Sequence, residues 1–144
     1  MKSQHEQTTR IGVVGTGFVA KGLVAILEKF PTLNVSSVLT RRELTSCKDF
    51  PREDLLTNQL DQLIESSDLV VECSGDVLHA TEVVNDCLTA GLPVVTMDAE
   101  FHVTTGSYFV GRGMLTEAEG DQPGSLAALK EEAELMGFSP LVYS

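Results

Sequence analysis

Residues 10–23 read RIGVVGTGFVAKGL. A short apolar run, 11–14, ends on Gly15 and Gly17. Apolar residues then return as Phe18, Val19, Leu23, Ile26, Leu27 and Phe30, mostly at three- and four-residue steps, which is a helical stripe. Pro31 ends the stripe, because a proline ring removes a backbone donor and clashes with the preceding turn. A buried strand, a tight turn and an amphipathic helix are therefore expected here.

The turn itself, Gly15-Thr16-Gly17-Phe18-Val19-Ala20, has the spacing G-x-G-x-x-A. Each small residue has a reason to be there if a dinucleotide binds. Gly15 permits the sharp turn, and Gly17 has no Cβ to block a pyrophosphate. Ala20 lets the helix pack closely on the strand. The helix N-terminus adds unpaired N–H groups and the positive end of its dipole. A glycine turn also serves architecture alone, so the flanking pattern carries the weight. This one lies between a strand-like and a helix-like segment at the first such junction, which favours the nucleotide.

Outward from that junction, strand-like and helix-like segments alternate. Strands are expected at 33–40, 55–57, 68–75, 92–97 and 114–119. Helices are expected around 60–64, over 77–90, across much of 104–111 and over 125–136, with a further strand beginning in the last six residues. Strands alternating with helices of this length imply a parallel sheet covered on both faces. The order of elements suits a Rossmann-type, doubly wound α/β sheet with strand order 3-2-1-4-5-6.

In that topology the carboxyl ends of the strands bear the ligand, and the residues there are named by the sequence. After the second strand, an acidic residue would accept hydrogen bonds from a free ribose 2′-hydroxyl. Thr40, Arg41 and Arg42 stand there instead. Two guanidiniums suit a 2′-phosphate through charge-assisted bonds, which favours NADP over NAD. Solvated surface charge is the plainer alternative for the arginines. Glu43 would take the acidic role, and favour NAD, if the strand ended later. Cys73, Ser74 and Gly75 follow the fourth strand and should pass beside the nicotinamide ribose. Asp98, Ala99 and Glu100 leave the fifth strand on the same edge and should border the nicotinamide.

Other polar residues carry less. His79 and His102 have no metal-ligand partner four residues on, so neither points to a metal. Cys73 near a strand end suits packing better than nucleophilic attack. The turn Gly120-Asp121-Gln122-Pro123-Gly124 puts Asp121 where it would cap the last helix or meet a substrate.

Composition narrows the function classes. Net charge is −11 and the isoelectric point is about 4.5. Such a surface repels phosphate backbones and anionic membranes, so nucleic acid and membrane are not expected partners. A length of 144 residues with 42% apolar content supports one core without staples. Residues 1–9 are polar, have no apolar stretch of a signal peptide and read as a flexible tail; 10–144 read as one dinucleotide-binding domain. Three cysteines without metal-like spacing suit a reducing cytoplasm.

The pieces IGVVGTGFVAKGL, VLTRR, DLVVECSG, AGLPVVTMDAE and EGDQPGSLAALKEEAELMGF span nearly the whole chain from Arg10. Together they resemble the NAD(P)-binding domain of homoserine dehydrogenase-like oxidoreductases. The resemblance is to the branch with a later SAF-type domain, which includes deoxyxylulose phosphate reductoisomerase-like enzymes. It implies NADP or NAD as cofactor and hydride transfer to or from a small polar metabolite. It assigns the pyrophosphate to Gly15, Gly17 and Ala20, the 2′-phosphate to Arg41 and Arg42, and the nicotinamide side to Ser74 and Gly75. Homoserine dehydrogenases proper usually carry Ala-Asn-Lys after the fifth strand, where this chain has Asp98-Ala99-Glu100. Such enzymes also continue into a substrate and oligomerisation domain, so the 144 residues alone are expected to bind cofactor without turnover. A stand-alone dinucleotide sensor is the alternative. A glucose–fructose oxidoreductase type is a further one: residues 74–95 resemble its unit, although its Glu-Lys-Pro is missing.

Overall fold

The computed structural model describes residues 8–118, 122–139 and 141, with the side chains of 122–124 left aside. Six parallel strands form a sheet in the order β3-β2-β1-β4-β5-β6. They are β1 (Thr9–Val14), β2 (Leu33–Leu39), β3 (Leu56–Thr57), β4 (Leu69–Glu72), β5 (Val94–Thr96) and β6 (Leu115–Glu117). The helices are α1 (Phe18–Leu27), α2 (Leu60–Ser66), α3 (Val77–Thr89), α4 (Ala99–Thr104) and α5 (Gln122–Leu135). The expected Rossmann-type sheet and its strand order are thus observed.

Two cores explain the helices on both faces. Successive strand residues point to opposite sides, so Val13 and Val14 part company. Val13 joins Ile11, Val35, Val38 and Val71 against Ala20, Val24 and Leu27 of α1 and against Phe50. Val14 joins Leu39, Val70 and Val94 against Leu63 of α2, Val83, Val84 and Leu88 of α3, and Phe101 of α4. The direction of winding reverses between β1 and β4, and a crevice opens there at the carboxyl ends of the strands.

Several boundaries differ from the sequence expectation. β1 starts two residues before the apolar run, because the Thr9 N–H bonds the Thr32 carbonyl at 2.9 Å and Arg10 is held by Asp68. β4 covers only the middle of 68–75. It stops at Glu72 because the next peptides turn back onto that side chain. The helix expected over 104–111 is replaced by α4 and a 3-10 turn, Gly106–Phe109. Asp98 caps α4: its Oδ1 accepts from the N–H groups of Glu100 (3.0 Å) and Phe101 (3.1 Å), and so starts the helix directly after β5. The sixth strand is shorter than 114–119, and α5 begins three residues before the expected 125. Residues 1–7 of the expected tail, Asp121 and most of the last expected strand lie outside the described residues.

Candidate dinucleotide site

The glycine turn is built by the strands around it. Gly15 adopts φ +110°, a conformation that side chains disfavour. A Cβ there would also lie 2.8 Å from the Cys73 carbonyl oxygen on the neighbouring strand. Gly15 N–H bonds the Leu39 carbonyl at 2.9 Å, and Cys73 N–H bonds that of Val14 at 3.0 Å. The turn is therefore clamped between the ends of β2 and β4.

Gly17 differs in kind. It is the N-cap of α1 at φ −76°, which any residue adopts, and a Cβ built on it meets nothing within 4 Å. No contact among the described residues requires a glycine here. The helix start has no side-chain cap and no acidic residue in its first turn. Its first N–H groups lack intrahelical partners, and Gly17 lines a hollow, the surroundings a phosphate needs. Ala20 is fully buried against the sheet, whereas Phe18 (92% exposed) and Val19 stand out on the surface. The residues present thus fit a pyrophosphate at this turn.

A hollow of about 360 Å³ collects Gly15, Thr16, Gly17, Thr40, Arg41, Arg42, Ser74 and His79. Thr16 and Thr40 are both buried, and their hydroxyls lie 3.2 Å apart, so the turn is tied directly to the end of β2. A neighbouring hollow of about 600 Å³ shares Thr40, Arg41, Arg42 and His79 and extends to Glu43, Asn58, Leu60 and Glu82. A third, of about 310 Å³, is lined by Val19, Cys73, Gly75, Met97, Asp98, Ala99 and Glu100. The candidate cofactor residues therefore fall into two groups along one sheet edge, except Ala20, which lies beneath it, and Phe18, which lines none of these hollows.

Electrostatics distinguish the two ends. Arg41 and Arg42 are exposed. The Arg41 Nη2 reaches Asp76 Oδ2 at 2.7 Å, and the Arg42 Nη2 donates to the Ser46 carbonyl at 3.3 Å. Burial first, and then the Arg41 charge, pushes the His79 pKa below its ordinary value, so the ring is neutral at pH 7. At the other end, no lysine or arginine among the described residues lines the hollow around Asp98 and Glu100. Asp98 Oδ2 is buried without a hydrogen-bond partner among the described residues. Burial pushes the Cys73 thiol up to about 12, which makes it a packing group and a poor nucleophile.

Three contributors escaped the sequence. Glu72 is fully buried at the end of β4 and holds the Ser74 loop. Asn58 donates to the carbonyl of Thr40 and, at 2.9 Å, to that of Arg42. It thereby fixes the arginine loop from 16 residues away, with no local signal. Asp76 had one: an aspartate just before a helical stripe is a preferred N-cap, and its Oδ1 accepts from the His79 N–H at 3.0 Å.

Solved structures share this architecture. A homoserine dehydrogenase from Thiobacillus denitrificans superposes with a TM-score of 0.73 at 19% identity, over 91% of this chain and 34% of that one. A meso-dapdh mutant from Clostridium tetani gives 0.69 at 18% identity, over 90% and 42%. GenD2 from gentamicin A biosynthesis, in complex with NAD, gives 0.61 at 18%, over 82% and 36%. The chain thus spans well under half the length of each. No curated protein sequence matches it. The family model for the homoserine dehydrogenase NAD-binding domain matches residues 15–107, from the glycine turn to the segment after α4. That match covers most of the chain and the whole crevice, and the chain belongs to the homoserine dehydrogenase NAD-binding domain family.

Proposed function

We propose that this chain is the cofactor domain of an NADP-preferring oxidoreductase. The pyrophosphate lies on the Gly15–Gly17 turn at the start of α1. The adenosine ribose and its 2′-phosphate meet Arg41 and Arg42. The nicotinamide reaches the hollow bounded by Cys73, Gly75, Asp98, Ala99 and Glu100. The bound cofactor supplies the hydride chemistry. This chain's residues orient it, and a further domain encloses a small polar metabolite and completes the reaction. Three free cysteines, Cys47, Cys73 and Cys87, suit the reducing cytoplasm in which such an enzyme would work.

One observation carries the preference for NADP. Both arginines stand in the wall of the hollow that contains the glycine turn, while the residue directly after β2 is Thr40, whose hydroxyl is turned inward to Thr16. Charge-assisted bonds to a phosphate contribute roughly 1.5–3 kcal/mol each, enough for one to three orders of magnitude in affinity. Titration of both cofactors into the wild type and an Arg41→Ala, Arg42→Ala double variant tests it. The expected result is loss of NADP affinity with NAD affinity kept. A wild type that prefers NAD, or an equal fall for both, overturns it and turns attention to Glu43.

A further inference from the structure

We propose that Asp76 sets cofactor choice by competing with a 2′-phosphate for Arg41. The inference rests on the placement of the adenosine ribose given above. It names a specificity residue on an element, α3, that is remote in sequence from the arginines.

The Arg41 guanidinium and the Asp76 carboxylate meet at 2.7 Å, 35 residues apart in sequence. Their bridge links the loop after β2 to the N-terminus of α3. Asp76 is not free to leave. Its other oxygen caps α3 through the His79 N–H, and that bond and Arg41 hold its carboxyl below the ordinary range, so it is charged at neutral pH. Arg41 has no second protein partner among the described residues and is mostly exposed. When a dianionic phosphate arrives, the arginine is therefore the group that moves, away from a carboxylate that stays.

NADP thus has to displace an existing ion pair and then sit near the carboxylate it displaced. NAD, with a free 2′-hydroxyl, has no need of the guanidinium and leaves the bridge in place. Discrimination achieved by a repulsive group is as real as discrimination by an attractive one. Asp76 accordingly holds the NADP preference below what two unpaired arginines would produce. Arg42 is left as the guanidinium without a carboxylate partner among the described residues: its Nη2 donates to the Ser46 carbonyl, and its backbone N–H donates to the Thr40 hydroxyl.

The test is Asp76→Asn in the full chain, because asparagine caps a helix about as well as aspartate and removes only the charge. Asp76→Ser, a second good cap, guards against a special effect of the amide. Calorimetric titration with NADP and NAD reads the affinity ratio, and circular dichroism reads the fold. The NADP-to-NAD affinity ratio is expected to rise about two- to tenfold in both variants, from loss of an exposed pair and of a repulsion. The rise should shrink when Arg41→Ala is added, because the part due to the ion pair is then gone and only the direct repulsion remains. An unchanged or lower ratio in folded variants overturns the proposal, as does a rise that is undiminished without Arg41. If the Arg41→Ala, Arg42→Ala variant leaves the ratio unchanged, the NADP assignment itself falls. If that variant loses NADP but Asp76→Asn gains nothing, only the competition falls.

Discussion

Glu72 Oε1 accepts two hydrogen bonds from Ser74, one from its backbone N–H at 2.7 Å and one from its hydroxyl at 2.6 Å. The second carboxylate oxygen accepts from the Thr96 hydroxyl on β5 at 3.1 Å. A single buried side chain thus ends β4, shapes the loop beside the glycine turn and joins that loop to the next strand. Burial opposes its charge and pushes its pKa above the ordinary 4.5, against the pull of the Ser74 and Thr96 donors.

The sign of that shift makes a prediction. A carboxyl whose folded pKa is raised binds its proton more tightly in the native state. The associated stability is fully present below the unfolded value, near 4.5, and is lost as pH rises through the folded value. Glu72→Gln removes the titration and keeps an acceptor for Ser74. Its unfolding free energy, followed by urea denaturation, should fall less than that of the wild type as pH rises from 4.5 towards neutrality. Parallel pH profiles for the two proteins would show that Glu72 does not titrate in this way.

Gly15 and Gly17 are two residues apart and should fail for different reasons. Gly15→Ala forces a side chain into a left-handed backbone and against the Cys73 carbonyl. A strained backbone position of this kind costs about 1–3 kcal/mol, so its thermal midpoint should drop measurably. Gly17→Val meets neither problem, because its backbone is ordinary and the space beyond is open. It should stay folded, with at most the small loss of a poorer N-cap, and weaken dinucleotide binding about a hundredfold or more, about 2.8 kcal/mol at 1.4 kcal/mol per tenfold. Unchanged affinity in Gly17→Val would mean that no phosphate approaches this backbone.

The 144-residue chain alone should bind dinucleotide and turn nothing over. The hollow at Asp98 and Glu100 is open, with Met97 and Glu100 exposed to water. Hydride transfer needs the partner substrate held in place and water excluded. Small hydroxy acids, aldehydes and sugar phosphates, incubated with NADP or NADPH and followed at the nicotinamide absorbance, should give no steady change. Sustained turnover by the purified chain would make it a complete enzyme.

By itself the sequence determined the sheet, its strand order and the position of the glycine turn. These follow from local chemistry: apolar runs of strand length, helical stripes, and glycines between them. A positive φ at Gly15 and a small residue at Ala20 are demands of one turn and one helix, so they are written in consecutive residues. The same holds for the placing of Arg41, Arg42, Ser74 and Asp98 along one edge, since a doubly wound sheet brings every strand end there. What only the tertiary structure decided is how those residues are engaged. Arg41 is paired to Asp76, Asn58 pins the arginine loop, and Glu72 joins Ser74 to Thr96. Most of these bonds span 16 to 35 residues and arise when separate strand ends converge, so no local pattern contains them. The start of α4 at Ala99 is different in kind, because Asp98 caps it through the N–H groups of Glu100 and Phe101, two and three residues on.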